Sequence, residues 1–148
     1  MSSTDSFYSA WTPRVLGVLR IIVGFLFTAH GTQKVFNFPA SANGAADLFS
    51  FMGFAGLLEL VGGVLIIAGL FTRATAFILS GMMAVAYFMA HAPAGFLPIV
   101  NKGELAVLYS FVFLYMTFAG GGAFSLDELL RRSKTVAIAA AEQAVETA

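Results

Sequence analysis

Residues 49–73 read FSFMGFAGLLELVGGVLIIAGLFTR, and this stretch decides the fold of the chain. Almost every side chain in it is apolar or small. At about 1.5 Å of rise per residue, a helix of this length crosses a hydrocarbon layer about 30 Å thick. The stretch therefore predicts a membrane-spanning helix.

Glu59 is the ionisable residue near the middle of this apolar run. A carboxylate is costly in lipid, so such a residue faces protein, water or a cationic group. Gly56, Gly62 and Gly63 lie three or four positions away and share its side of the helix. Because small residues allow a second helix to come close, we expect Glu59 at the centre of a helix bundle.

The composition agrees with a membrane protein. Of the 148 residues, 59% are hydrophobic and 11% are charged, against about 25% charged in a typical soluble domain. Eight basic and eight acidic residues give no net charge, which argues against a nucleic-acid partner. The chain has no cysteine, which excludes disulfides and cysteine-ligated iron–sulfur clusters within it.

We predict an all-α integral membrane four-helix bundle with a short cytoplasmic amphipathic helix at its C-terminus. Pro13 suits the first turn of the first helix, and Thr72 is placed to cap the third. Ser125 and Glu128 form a capping-box pattern that begins the surface helix. The transmembrane domain is expected over residues 1–124, with helices at about 14–36, 49–70, 74–91 and 103–120, and the cytoplasmic helix and tail over 125–148.

The basic residues predict the orientation. With four spans, both termini and the turn at Arg73 lie on one side of the membrane. That side carries five basic residues against two on the other, with the intramembrane Arg20 left out. The positive-inside rule then places both termini in the cytoplasm. The five are Arg14, Arg73, Arg131, Arg132 and Lys134, and the two are Lys34 and Lys102.

Several ionisable residues are candidates for a polar interior. Arg20 is expected about 7 Å from Glu59 along the bundle axis, near enough for an ion pair, and His30 a similar distance on the outer side. Such a pair either has a functional role or simply fixes helix register. Near the outer boundary, snorkelling or helix capping competes with a site role. The candidate set is Glu59, Arg20, His30, Lys34, His91 and Glu104.

The cofactor expectations follow from the same residues. His30 and His91 are the minimum for haem ligation, but the sequence argues against a haem, and no metal site is assigned. We expect no covalently bound cofactor. A quinone is compatible with the chain, whose 16 phenylalanines supply apolar bulk.

Five segments in order resemble the DoxX family and cover about residues 14–128. They are the seven-residue glycine spacing before GTQKVF (31–36), ELVGGVL with AGLFTRATA (59–76), His91, NKGELA (101–106) and GGGAFSLD (120–127). The resemblance implies a small four-helix protein of the bacterial cytoplasmic membrane. Some relatives are subunits of thiosulfate:quinone oxidoreductases or quinol oxidases, and others associate with superoxide-detoxifying and sulfur-transfer enzymes. The resemblance carries no catalytic residue set onto this chain.

The resemblance and the polar interior favour an accessory subunit of a membrane redox complex, with a quinone- or proton-linked role. If the chain is enzymatic, it is a quinone-linked oxidoreductase subunit whose partners are redox or sulfur-metabolism proteins. The alternative is a non-catalytic membrane anchor that docks soluble partner enzymes through its cytoplasmic turn and basic tail. A small permease ranks last because four short helices leave little room for alternating access.

Overall fold

The computed structural model describes residues 3–146, and this part of the chain is helical without any strand. A π-helical turn (Tyr87–His91) and a 3-10 turn (Ala92–Ala94) continue the third helix. The all-α prediction is confirmed. The helices are α1 (Ser3–Phe36), α2 (Phe51–Ala68), α3 (Thr72–Ala86), the single turn α4 (Pro98–Asn101), α5 (Glu104–Ala119) and α6 (Leu126–Glu146).

Three helical segments are long and apolar enough to cross a membrane, namely Thr4–Phe36, Phe51–Ala68 and Thr72–Ala94. The fourth, α5, has 16 residues and is about 24 Å long. Many large apolar side chains point outward from these helices, among them Phe25, Phe77 and Phe111. Such a surface contacts lipid, so the chain is an integral membrane bundle in direct contact with the bilayer.

The first helix begins much earlier than predicted. It starts at Ser3 rather than near residue 14, and Pro13 lies inside it instead of in its first turn. Proline at an interior position removes one backbone hydrogen bond but does not end this helix. Asp5 in the first turn suits the helix dipole, and Phe7 packs on Trp11 one turn later with ring centroids 6.1 Å apart. These local contacts extend α1 beyond the apolar run.

The α1–α2 hairpin is closed by glycines. A Cβ on Gly24 would lie 2.9 Å from the backbone nitrogen of Ile67, and one on Gly63 would lie 2.9 Å from the nitrogen of Thr28. Gly31 makes a similar approach to the backbone of Leu60. The two backbones therefore meet at glycine positions along an antiparallel pair, as the small-residue spacing predicts.

The second hairpin pairs α3 with α5. Ser80 and Ser110 each donate a hydroxyl hydrogen bond to the other's carbonyl, at 2.8 and 3.1 Å. The core lies where this hairpin meets the first. There Phe27 of α1 packs edge-on against Phe113 of α5, with ring centroids 4.9 Å apart, and both side chains are buried.

The turn between α2 and α3 is capped from a distant part of the chain. The two carboxylate oxygens of Asp127 accept the N–H groups of Phe71 and Thr72, each at 2.8 Å. The prediction that Thr72 caps α3 is wrong. Thr72 is the first helical residue and is fully buried after the left-handed Phe71 (φ 49°), so its hydroxyl does not serve the first turn.

The last helix, α6, lies on the surface, as predicted. The hydroxyl of Ser125 accepts the N–H of Glu128 at 3.3 Å, which is one half of the predicted capping box. The Glu128 carboxylate instead binds Arg131 and Arg132. From Leu129 to residue 140 every side chain is exposed.

Candidate functional site

Glu59 lies on the face of α2 that packs against α1, and its partner is Lys34. The carboxylate oxygen Oε1 is 2.5 Å from Lys34 Nζ. The aliphatic stem of Lys34 crosses Gly56, where an added Cβ would lie 2.8 Å from Lys34 Cβ. Glu59 is 4% exposed, so the pair is shielded on the carboxylate side. The prediction that Arg20 compensates Glu59 is therefore wrong.

The register of the α1–α2 hairpin explains why Arg20 does not reach Glu59. Gly31 faces Leu60 and Gly24 faces Ile67, so Glu59 is level with the C-terminal third of α1. Arg20 lies about 17 Å further along the axis, since 11 residues separate it from Gly31. The estimate of about 7 Å assumed that the two helices are centred at the same depth. Because α1 extends far beyond the end of α2, this assumption fails.

Arg20 has a different role. Its side chain is fully buried and donates to four backbone carbonyls, those of Ile66 (2.5 Å), Ile67, Gly121 (2.8 Å) and Phe124 (2.9 Å). The first two belong to the last turn of α2, where the helix dipole concentrates negative charge. Arg20 therefore ties α1 to the end of α2 and to the loop that follows α5.

The second oxygen of Glu59, Oε2, is buried and has no hydrogen-bond partner within residues 3–146. Tyr109 is buried on the face of α5 that lies in the bundle core. The imidazole of His30 meets the Tyr109 ring edge-on at 6.3 Å and lies exposed on α1, one turn before Lys34. We call Glu59, Lys34, Tyr109 and His30 the Glu59 cluster.

The remaining candidates lie away from this cluster. His91 Nδ1 is 3.1 Å from the carbonyl oxygen of Asn101, and its ring stacks on Tyr87. The buried Asn101 amide donates to Gly95 O at 2.6 Å, so His91 belongs to a network that holds the connection between α3 and α5. Glu104 is exposed in the first turn of α5, where a carboxylate suits the helix dipole.

The six predicted residues thus separate into distinct environments. The structure pairs Glu59 with Lys34 and places His30 one helical turn before Lys34 on α1, whereas Arg20, His91 and Glu104 each lie elsewhere. Within the described part of the chain, no three side chains of the kinds that ligate metals gather in one place. The Glu59 cluster itself offers hydrogen-bond donors, a buried acceptor and exchangeable protons.

A comparison with protein families identifies the chain. The DoxX family model matches residues 15–92, just over half of the sequence. The chain belongs to the DoxX family. The matched region runs through α1, α2 and α3, and it includes His30, Lys34 and Glu59.

Several bacterial proteins are similar over most of this DoxX chain. A Haemophilus influenzae protein is 48% identical over 122 residues, which cover 79% of this chain and 91% of the relative. Inner membrane protein YqjF of Escherichia coli is 30% identical over 124 residues, covering 78% and 91%. A Bacillus subtilis protein named "Putative oxidoreductase CatD" is 27% identical over 120 residues, covering 79% and 87%.

The relatives named as membrane proteins agree with the helical bundle, and this DoxX chain is a multi-pass membrane protein. No solved structure matches it at a comparable level of significance. The arrangement of the Glu59 cluster therefore comes from this chain's own structure.

Tyr109 is the member of the cluster that the sequence reasoning missed. Ala106, Tyr109, Phe113 and Met116 recur at spacings of three and four and form the buried face of α5. Tyr109 carries the polar group on that otherwise apolar face. The helical periodicity of residues 104–119 was thus a signal that could have found it.

Proposed function

We propose that this DoxX protein is an accessory subunit of a membrane redox complex, and that the Glu59 cluster binds a quinone headgroup and exchanges protons with it. The observation that carries the proposal is the buried Oε2 of Glu59, which has no hydrogen-bond partner within residues 3–146, while Oε1 binds the Lys34 ammonium. The exposed imidazole of His30 lies one helical turn from Lys34 and meets the ring of the buried Tyr109. A buried carboxylate oxygen without a partner costs free energy, and a ligand that donates a hydrogen bond would remove this cost.

The chemistry of the cluster matches the demands of such a substrate. Reduction of a quinone to a quinol takes up two electrons and two protons. Tyr109 and His30 carry O–H and N–H groups that can hydrogen-bond the quinone oxygens, and Glu59 can accept a proton from a quinol hydroxyl. The electrons come from, or return to, a redox centre on a partner subunit.

The position of His30 supports entry from the membrane. Its imidazole is exposed on a helix whose other exposed side chains include Phe25 and Leu26. It makes no protein hydrogen bond within the described residues, although polar groups inside a membrane usually face a partner or a pathway. A quinone diffusing in the lipid would meet His30 first, with Tyr109 and Glu59 behind it.

Photoaffinity labelling tests quinone binding directly. The full chain in lipid nanodiscs is irradiated with an azido-quinone, with and without excess unlabelled quinone, and the labelled peptides are mapped by mass spectrometry. We expect saturable labelling in the C-terminal third of α1 and the first half of α5. Glu59→Gln and His30→Ala should each raise the concentration of unlabelled quinone that halves the labelling by about tenfold. This is the loss of affinity expected for one strong hydrogen bond.

Glu104→Gln is the matched control, because it neutralises an exposed carboxylate at the same end of the bundle. It should leave labelling unchanged. Labelling that is not saturable, or that Glu59→Gln and Glu104→Gln affect equally, would overturn the quinone assignment.

Purification of native complexes tests the accessory role. Partners captured with the full chain in mild detergent are identified by mass spectrometry, and quinone-dependent electron transfer is measured in the same membranes. Glu59→Gln should retain the partners but lose most of the activity. Full activity with retained partners would instead favour the anchor alternative, in which the cluster takes no part in turnover.

A further inference from the structure

A wide groove opens at the end of the bundle where α3 and α6 begin, away from the Glu59 cluster. Its volume is about 1040 Å³. It lies between α1, the α2–α3 turn, the loop of residues 120–125 and the first turns of α6. We call it the cationic groove, because four arginines line it against two carboxylates: Arg14, Arg73, Arg131 and Arg132 against Asp127 and Glu128.

Both carboxylates are already engaged. Asp127 accepts the two N–H groups that begin α3. Glu128 binds Arg132 at 2.7 Å and Arg131 at 2.8 Å. Hydrogen bonds from Arg132 and Arg131 hold the pKa of Glu128 below its usual range, so it stays ionised at neutral pH. The groove therefore keeps an excess of positive charge.

The other two arginines, Arg14 and Arg73, form no salt bridge within residues 3–146. Arg14 donates to the carbonyl of Ala10 at 2.8 Å, and Arg73 donates to the carbonyls of Thr117, at 3.0 Å, and Phe118. A guanidinium has five N–H donors, so each retains donors that can reach an anion. Arginine is suited to phosphate because two parallel N–H groups match two phosphate oxygens.

The wall of the groove also contains an unpartnered polar group. Thr72 is fully buried, and its hydroxyl has no hydrogen-bond partner within residues 3–146. It lies beside Gly121, whose added Cβ would come 3.0 Å from that hydroxyl. A ligand oxygen that reached this wall would supply the acceptor that the protein lacks there.

The rim of the groove is apolar. Phe71, Phe124 and Leu129 line it and are 68%, 69% and 60% exposed. Guanidinium groups beside exposed aromatic and aliphatic side chains, at the boundary of a membrane bundle, suit a molecule with a phosphate headgroup and acyl chains. A free phosphate would use the arginines alone.

We infer that the cationic groove binds the phosphate group of an anionic phospholipid headgroup. Arg14, Arg73, Arg131 and Arg132 supply the donors, and the apolar rim contacts the acyl chains. The site is distinct from the Glu59 cluster and does not depend on a redox role for the protein.

Native mass spectrometry of the full chain in mild detergent tests the inference. Phosphatidylglycerol and phosphatidylcholine are titrated in parallel, and the bound lipid is counted. We expect one tightly bound phosphatidylglycerol, and about a 25-fold weaker affinity in the Arg131→Gln/Arg132→Gln variant, at about fivefold for each arginine. Both side chains are more than 70% exposed, so their loss should leave the fold intact.

Lys134→Gln is the charge control, because Lys134 is exposed on the same helix but does not line the groove. It should leave the affinity within a factor of two. Glu128→Gln should tighten binding, since it removes the negative charge that pairs with Arg131 and Arg132. Equal losses from Lys134→Gln and from either arginine would overturn the site in favour of a diffuse surface charge.

Soluble glycerol phosphate separates the two sources of the phosphate group. We expect it to displace phosphatidylglycerol only at high concentration, because it lacks the acyl chains. If glycerol phosphate binds as tightly as the lipid, and the double arginine variant abolishes both, the groove takes a free anion and the lipid assignment is wrong. If neither binds, the inference as a whole is wrong.

Discussion

The contact between Lys34 and Glu59 is an ion pair in which one partner is nearly buried and the other is partly exposed. The side chain of Glu59, taken without its backbone, is 6% exposed, and that of Lys34 is 27% exposed. Removing either partner leaves the other charge poorly solvated, whereas removing both takes away the desolvation cost together with the attraction. The pair should therefore be strongly coupled in a double-mutant cycle.

We expect Glu59→Gln and Lys34→Gln each to lower the free energy of unfolding in detergent by about 1–3 kcal/mol, less than a fully buried pair would lose because Lys34 is partly exposed. The double variant should recover a large part of that loss. Thermal unfolding of the four proteins measures the coupling. Glu104→Gln, which removes an exposed carboxylate, should change stability by less than about 0.5 kcal/mol. Strictly additive losses would show that the contact contributes nothing.

Arg20 should behave independently of this pair. Arg20→Lys keeps the charge but cannot reproduce four hydrogen bonds to carbonyls on two segments, so we expect a loss of about 3 kcal/mol or more. In the double variant Arg20→Lys/Glu59→Gln, the two losses of unfolding free energy should add to within about 0.5 kcal/mol, since the sites are far apart. Thermal unfolding of the single and double variants checks this. Substantial recovery in the double variant would mean that Arg20 and Glu59 interact after all.

Among the helices, the start of α3 depends on a side chain that lies 55 residues later in the chain. Phe71 offers no side-chain cap, and the Asp127 carboxylate takes the amides instead. The same residue stands in the first turn of α6, so it joins the bundle to the surface helix. This contact holds the two helix ends together at the cationic groove.

Asp127→Ala should destabilise the chain by about 1–2 kcal/mol, the usual cost of losing a helix cap. Hydrogen exchange should accelerate at the amides of Phe71 and Thr72 and in the first turn of α6. Glu142→Ala removes an exposed carboxylate from the same helix and serves as the control. Unchanged exchange in the first turn of α3 would show that Asp127 is not its cap.

At the scale of the whole molecule, membrane orientation is an expectation that the distribution of basic residues supports. Four of the five basic residues on the terminal side line the cationic groove, and all four are arginines. The positive-inside rule places that end of the bundle in the cytoplasm. The groove would then face the leaflet whose anionic lipids it is proposed to bind.

Reporter fusions measure this orientation. A reporter after Ala46 or after Phe96 should be active outside the cytoplasm, and one after Ala148 should be active within it. The two loop fusions control for each other, because both lie at the end of the bundle opposite to the groove. An external C-terminus would reverse the orientation and remove the argument for a cytoplasmic-leaflet lipid.

The sequence alone determined that this protein is a helical membrane bundle. An apolar run such as residues 51–68 is long enough to cross the hydrocarbon layer as a helix. Glycines at 17, 24 and 31 lie on one side of a helix and allow a neighbouring segment to come close. Both patterns can be recognised within one segment, without knowing which other segment packs against it. They predicted the main helices, the glycine contacts and the polar character of the interior around Glu59.

Only the tertiary structure decided which polar groups meet. The partner of Glu59 depends on the axial offset between α1 and α2, and that offset is set by backbone contacts at Gly24 and Gly31 together with the N-terminal extension of α1. Sliding α1 by two helical turns along α2 would place a different residue opposite Glu59 in place of Lys34. The hydrophobic pattern of both helices would be unchanged by that shift. The capping of α3 by Asp127 is likewise a contact between distant segments. Charges pair by position in space, and the apolar periodicity of a helix does not encode its offset from its neighbour.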